Sequence, residues 1–217
     1  MRYFILVLVL TVYVPGVHAA PAKRYLALGD SYTIGESVSE SGRWPVQLAQ
    51  RLHVAAPHII ARTGWTTDEL DAAITKEDPK GTFDLVTLLI GVNNQYRGRS
   101  IDEYRVQFRD LLQRAIRFAG GHAKRVVVVS IPDWGATPYA QGRDRAQIAR
   151  DIDAFNAVSL EETRRAGARY ADVTPISRRA ASDASLVAGD GLHPSAKMYG
   201  EWVNVVLPEA RAALHKR

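Results

Sequence analysis

The 217-residue chain contains no cysteine. That absence excludes a disulfide-stapled scaffold, a thiolate metal site, a cysteine nucleophile and a lipidated-cysteine anchor. Stability must come from a packed core. The 47% hydrophobic content is enough, over this length, for one domain and short for two. Long blocks of one charge are also missing. Lys and Arg outnumber Asp and Glu by 28 to 23, but the basic residues are scattered: Lys23-Arg24, Arg143, Arg145, Arg164-Arg165, Arg178-Arg179 and Lys216-Arg217. Without basic runs or interleaved aromatics, nucleic acid is not an expected partner. A solvated basic surface, loosely attractive to anionic envelope polymers, is. No repeat, low-complexity tract or linker divides the chain.

One long apolar stretch stands at the N-terminus, "MRYFILVLVLTVYVPGVHA". Arg2 supplies a positive start, Tyr3 to Val14 an apolar centre, Pro15-Gly16 a break, and Val17 and Ala19 small residues before a cleavage site. The run falls short of the roughly 20 apolar residues of a membrane span. Residues 1–19 are therefore expected to be an export signal cleaved near Ala19 or Ala20. Residues 24–217 then form one domain, periplasmic or extracellular, without stable membrane insertion.

Beyond the signal, short apolar runs alternate with amphipathic stretches. "RYLALG", "HIIARTG", "DLVTLLIG", "KRVVVVSIPDWG" and "ARYADVTP" read as strands. The third and fourth are apolar enough to be covered on both faces. "WPVQLAQRL", "TTDELDAAI", "SIDEYRVQFRDLLQRAIRFAGG", "DRAQIARDIDAFNAVSLEETRRAG" and "PSAKMYGEWVNVVLPEARAALHKR" carry helical spacing, with a kink expected at Pro208. Five strands joined by helices predict a parallel sheet in a three-layer α/β/α sandwich. In such sheets, ligands bind beyond the carboxyl ends of the strands.

Those ends carry the chemistry. Gly29-Asp30-Ser31, Thr63-Gly64-Trp65-Thr66-Thr67 and Gly91-Val92-Asn93-Asn94 each follow a strand, and "GDGLHPS" places Asp190 and His193 three apart before the last helix. Any one of these is an ordinary turn or cap. Together they are the inventory for acyl transfer through a serine nucleophile. Gly29 is expected to let the chain turn sharply so that Ser31 emerges, with Asp30 a structural hydrogen-bonder. His53, His58, His122 and His215 read as surface residues. A dinucleotide fingerprint, a P-loop and the G-x-S-x-G elbow are all missing, and no second histidine stands at ligand spacing to His193. No cofactor or metal is expected.

The four turns, in this order, resemble the four blocks of the SGNH (GDSL-type) hydrolases, from Tyr25 to about Tyr199. The resemblance implies a flavodoxin-like fold with a five-stranded parallel sheet. It implies Ser31 as nucleophile, Asp190 and His193 as its triad partners, and an oxyanion hole of Ser31, Gly64 and Asn93. Two departures stand out: Ala61-Arg62-Thr63 lacks the asparagine many members carry before the second-block glycine, and Asn94 replaces a common aspartate. Both bear on substrate contacts rather than catalytic groups. The implied activity is a secreted serine esterase on small or envelope-derived acyl esters. Lysophospholipase, thioesterase or polysaccharide O-acetylesterase chemistry on the same site is the alternative. The intact set of groups disfavours a third reading, a non-catalytic carbohydrate- or lipid-binding module. The loop Ile131 to Gly142, with Trp134, Pro138 and Tyr139, is the expected pocket wall, and short connections predict an open cleft for short acyl groups.

Overall fold

The first apolar run forms β1 (Tyr25–Asp30), buried along its whole length. It passes directly into a one-turn helix, α1 (Ser31–Ile34), and then to α2 (Trp44–Leu52), where Pro45 sits in the first turn and its missing N–H has no intrahelical role to lose. β2 (His58–Arg62) leads to α3 (Thr67–Glu77), capped by Thr66, whose backbone N–H donates to Glu69 Oε2 at 2.9 Å. β3 (Leu85–Leu89) precedes α4 (Val92–Tyr96) and α5 (Ile101–Phe118). The apolar stripe of α5 is buried at Tyr104, Phe108, Leu111, Leu112 and Ala115, as its periodicity predicts. β4 (Val126–Val129) is followed by α6 (Arg145–Arg165), β5 (Arg169–Ala171), α7 (Thr174–Arg178) and α8 (Ala196–Leu214), which continues through Pro208 as one helix. These elements come from a computed structural model describing residues 22–215. The expected export signal over residues 1–19 lies outside the described residues.

The five strands form one parallel sheet in the order β2-β1-β3-β4-β5. α2 and α8 pack together on one face, and α3, α5 and α6 cover the other. This is the expected three-layer sandwich. β3 and β4 are buried throughout because helices cover both faces, which is why they contain little but Leu, Val and Thr. The chain reverses its direction across the sheet at β1, which pairs β2 on one edge and β3 on the other. A crevice opens beyond the carboxyl ends of strands at such a reversal. Ser31 follows β1, and α4 follows β3.

Gly29 lies within β1 and is absent from the positive-φ residues, so its part in the sharp turn is not a left-handed backbone. Its requirement is space. A Cβ there would stand 2.2 Å from Thr33 Oγ1 and 2.5 Å from the Leu89 carbonyl on the neighbouring strand. The glycine lets the nucleophile turn fold back tightly over the β1–β3 pair.

Candidate active site

Asp30 ends β1 and caps α1, its Oδ1 accepting the Tyr32 backbone N–H at 3.0 Å. This bears out Asp30 as a structural hydrogen-bonder. Burial pushes its carboxyl up to about 7, against the lowering effect of that bond, and Oδ2 has no hydrogen-bond partner among the described residues. Ser31 therefore rests on a buried turn. Trp44 Nε1 donates to the Tyr32 carbonyl at 3.1 Å, and the Tyr32 ring packs against His193 at 5.3 Å and Trp202 at 6.3 Å. Tyr32 packs against His193 and lines the same cavity, a role its place in the motif did not announce.

The "GDGLH" turn closes on itself. Asp190 Oδ1 accepts the backbone N–H groups of Leu192 and His193, each at 2.9 Å. Its Oδ2 accepts from His193 Nδ1 at 2.6 Å and from the Ser37 hydroxyl at 2.6 Å. Partial burial opposes the charge, but the hydrogen bonds from Ser37, His193 and the two backbone groups outweigh it and hold the Asp190 carboxyl well below the usual carboxylate range. An ionised carboxylate can only accept, so Nδ1 carries the proton and Nε2 is left as an acceptor. Ser37 is exposed and has a left-handed backbone, φ 64°. Sequence pattern gave no signal for its contact with a residue 153 positions away.

The second and third turns are laced together. Asn93 Nδ2 donates to the Trp65 carbonyl at 2.9 Å, and its second amide hydrogen has no partner among the described residues. Arg97 donates to the Gly64 carbonyl at 2.6 Å and to Glu69 at 3.2 Å. Asn94 is fully buried; its Oδ1 accepts the Thr67 N–H at 3.1 Å and its Nδ2 donates to Thr67 Oγ1 at 2.7 Å. Asn94 is thus a latch between loops, and the expectation that it bears on substrate contacts is corrected. Thr63, by contrast, stands on the cavity wall and donates to Glu36.

Ser31, Gly64, Asn93 and His193 line one cavity of about 130 Å³, together with Tyr32, Thr63, Val92, Tyr96, Trp134, Tyr139 and Leu192. No hydrogen bond joins the Ser31 hydroxyl to the imidazole among the described residues. Catalytic hydrogen bonds are often long until substrate tightens the site. Asp190 stands behind the histidine. Of the expected wall residues, Trp134 and Tyr139 line the cavity and Pro138 does not. Trp134 is 4% exposed and donates through Nε1 to Gln95 Oε1 at 2.8 Å. Asp133 anchors its loop by accepting from the Gly135 N–H at 2.9 Å and from Arg178 Nε at 2.9 Å. Tyr96, from α4, completes the aromatic side. A larger cleft of about 810 Å³ between α3 and α5 is lined by Asp71, Thr75, Asp110 and Arg114 and by no histidine or serine. No cluster of three or more metal-ligating side chains forms among the described residues. No helix among them is long and apolar enough to cross a membrane.

Residues 27–200 match the GDSL-like lipase/acylhydrolase family, a span that holds all four turns. The chain belongs to this family. It is a carboxylic ester hydrolase of the SGNH type. Solved structures share the fold of this GDSL hydrolase. TesA superimposes with a TM-score of 0.64 at 20% identity, over 88% of this chain and 100% of its own. Axe2, an acetylxylan esterase from Geobacillus stearothermophilus, gives 0.65 at 19% identity, over 90% and 97%. The psychrotrophic esterase EstA from Pseudoalteromonas sp. gives 0.63 at 16%, over 89% and 100%. No protein with a curated description matches the sequence.

Proposed function

We propose that the protein is an exported serine esterase that hydrolyses short acyl esters, with Ser31 as nucleophile. Ser31 Oγ attacks the ester carbonyl while His193 Nε2 takes its proton, and Asp190 holds the imidazole orientation and stabilises the cation that forms. The Ser31 and Gly64 backbone N–H groups and the second Asn93 amide hydrogen meet the developing oxyanion. His193 returns the proton to the leaving alcohol, and water repeats the sequence on the acyl-enzyme to release the acid. The observation carrying this reading is the convergence of Ser31, Gly64, Asn93 and His193 on one cavity, with the 2.6 Å Asp190–His193 bond behind it. Export rests on the N-terminal apolar stretch.

Cavity size supports the short acyl group. The cavity is small, about 130 Å³, and a long acyl chain would have to leave it across the rim. Exposed Tyr96 and Tyr139 at the rim favour a second reading, O-deacetylation of a polysaccharide, because tyrosine rings offer flat faces to apolar sugar surfaces. The acetylxylan esterase Axe2 has the same fold. The test is kcat/KM across p-nitrophenyl esters from acetyl to palmitoyl and on acetylated sugars, for the wild type and Ser31→Ala. A short-chain maximum that disappears in Ser31→Ala is expected. A maximum at dodecanoyl or beyond refutes the size argument, and an active Ser31→Ala refutes the nucleophile.

A further inference from the structure

The aromatic rim carries a cation that neither the triad nor the oxyanion hole uses. Tyr96, Trp134 and Tyr139 pack edge to face, with ring centroids 5.3 Å apart for Tyr96–Trp134 and 6.2 Å for Trp134–Tyr139. The two tyrosine hydroxyls hydrogen-bond at 3.0 Å. Over this cluster lies the Arg143 guanidinium, its central carbon 5.4 Å from the Trp134 centroid, 5.5 Å from Tyr96 and 5.7 Å from Tyr139. Arg143 is exposed and does not itself line the cavity, but its three cation–π partners do, so these contacts hold the group against the aromatic wall of the cavity lined by Ser31 and His193. Its one side-chain hydrogen bond among the described residues is long, 3.5 Å to the Tyr96 oxygen. A guanidinium offers five donors.

Arg97 pairs with Glu69, Arg99 with Asp68, and Arg178 with Asp133 and Asp153, whereas Arg43, Arg62 and Arg145 have no carboxylate partner among the described residues, and none of those three lies over the aromatic cluster. Arg143 has no carboxylate within ion-pair distance among the described residues. The neighbouring acids are committed elsewhere, Asp144 to the Gln147 N–H at 2.9 Å and Asp151 to Gln147 Nε2 at 2.7 Å and Gln95 Nε2 at 3.4 Å. Arg145, the adjacent cation, donates to the Thr137 carbonyl at 3.1 Å. A planar fork of unused donors, held over aromatic rings, matches a carboxylate or phosphate. The 130 Å³ cavity takes the acyl group and leaves the rest of a substrate to lie across this rim.

We propose that Arg143, on its Tyr96–Trp134–Tyr139 platform, is a subsite for an anionic group, carboxylate or phosphate, on the ester that Ser31 attacks. The proposal rests on the serine-esterase reading. It makes the preferred substrate an acid-bearing short-chain ester, such as an acetylated uronate or an acyl ester of a phosphorylated alcohol.

The test compares matched anionic and neutral esters. 4-Acetoxybenzoate is paired with its methyl ester, p-nitrophenyl hemisuccinate with p-nitrophenyl butyrate, and acetyl glycerol phosphate with acetyl glycerol. The first two pairs place the carboxylate on the alcohol or the acyl side, and the third supplies phosphate. For each pair, the anionic-to-neutral ratio of kcat/KM is measured in the wild type, Arg143→Gln and Arg143→Lys, so intrinsic reactivity cancels between enzymes. In at least one pair the ratio should fall about three- to tenfold in Arg143→Gln, stay partly in Arg143→Lys, and fall in the wild type as salt is raised. The responding pair identifies the anion and its side. Ratios unchanged by Arg143→Gln in all three pairs overturn the subsite while leaving the esterase reading intact. A wild type that hydrolyses none of the six esters overturns both.

Discussion

Removing the Ser37 hydroxyl should slow the reaction without touching substrate. Ser37 donates at 2.6 Å to Asp190 Oδ2, the oxygen that also receives His193 Nδ1. A hydrogen bond to a charged acceptor contributes about 1.5–3 kcal/mol. If about 1–2 kcal/mol of that serves to hold the carboxylate in place at the transition state, kcat falls roughly 5- to 30-fold, with a smaller change in KM. Backbone strain separates this from a packing effect. At φ 64°, Ser37 occupies a conformation that costs a non-glycine residue about 1–2 kcal/mol and costs glycine little. Ser37→Ala keeps the strain and loses the bond; Ser37→Gly loses both. Ser37→Gly should therefore melt higher than Ser37→Ala, by roughly 2–4 °C for about 1 kcal/mol in a chain of this size, while the two are equally slow. Ser37→Thr keeps the hydroxyl and should be faster than Ser37→Ala, while melting below the wild type because a β-branched residue fits this backbone poorly. The assay is steady-state hydrolysis of p-nitrophenyl acetate beside thermal melts of the three variants. A wild-type kcat in Ser37→Ala and Ser37→Gly, or rates that track the melting temperatures, would refute the reasoning.

Asn93→Ala should lower kcat by roughly 10²–10³ with little change in KM, because the amide acts when charge develops on oxygen; an unchanged kcat would leave Asn93 only its bond to the Trp65 carbonyl. Asp30 has a folded-state pKa of about 7 against an ordinary value of 3.8, so the folded protein binds more protons than the unfolded chain between those limits and loses stability as pH rises through them. Asp30→Asn should accordingly be more stabilising, or less destabilising, at pH 8 than at pH 5, by on the order of 1–3 kcal/mol; equal effects in denaturant titrations at both pH values would contradict the buried-carboxyl account. Gly91→Ala would place a Cβ 2.6 Å from the Tyr104 ring at φ 130°, and should destabilise by roughly 2–5 kcal/mol, read as a melting temperature lower by on the order of 10 °C.

Much of the architecture was legible in the chain itself, because its causes are local or periodic. Continuous aliphatic runs marked β3 and β4 as covered on both faces, the spacing of Tyr104, Phe108, Leu111, Leu112 and Ala115 marked the buried stripe of α5, and Pro45 marked a first turn. Three polar turns at strand ends and a fourth before the last helix named Ser31, Gly64, Asn93, Asp190 and His193, since a parallel sheet brings its strand ends to one edge. Contacts across large sequence separations were decided only by the tertiary structure. Ser37 reaches Asp190, Asn94 turns inward to latch Thr67, and Tyr96 meets Trp134 and Tyr139 beneath Arg143. Gly29 looks like a turn residue in sequence, and only the approach of the Leu89 carbonyl and Thr33 reveals that the site demands an absent side chain rather than an unusual φ. Periodicity specifies which face of an element is buried. It does not specify which distant polar group that face will meet, because that depends on how the layers close.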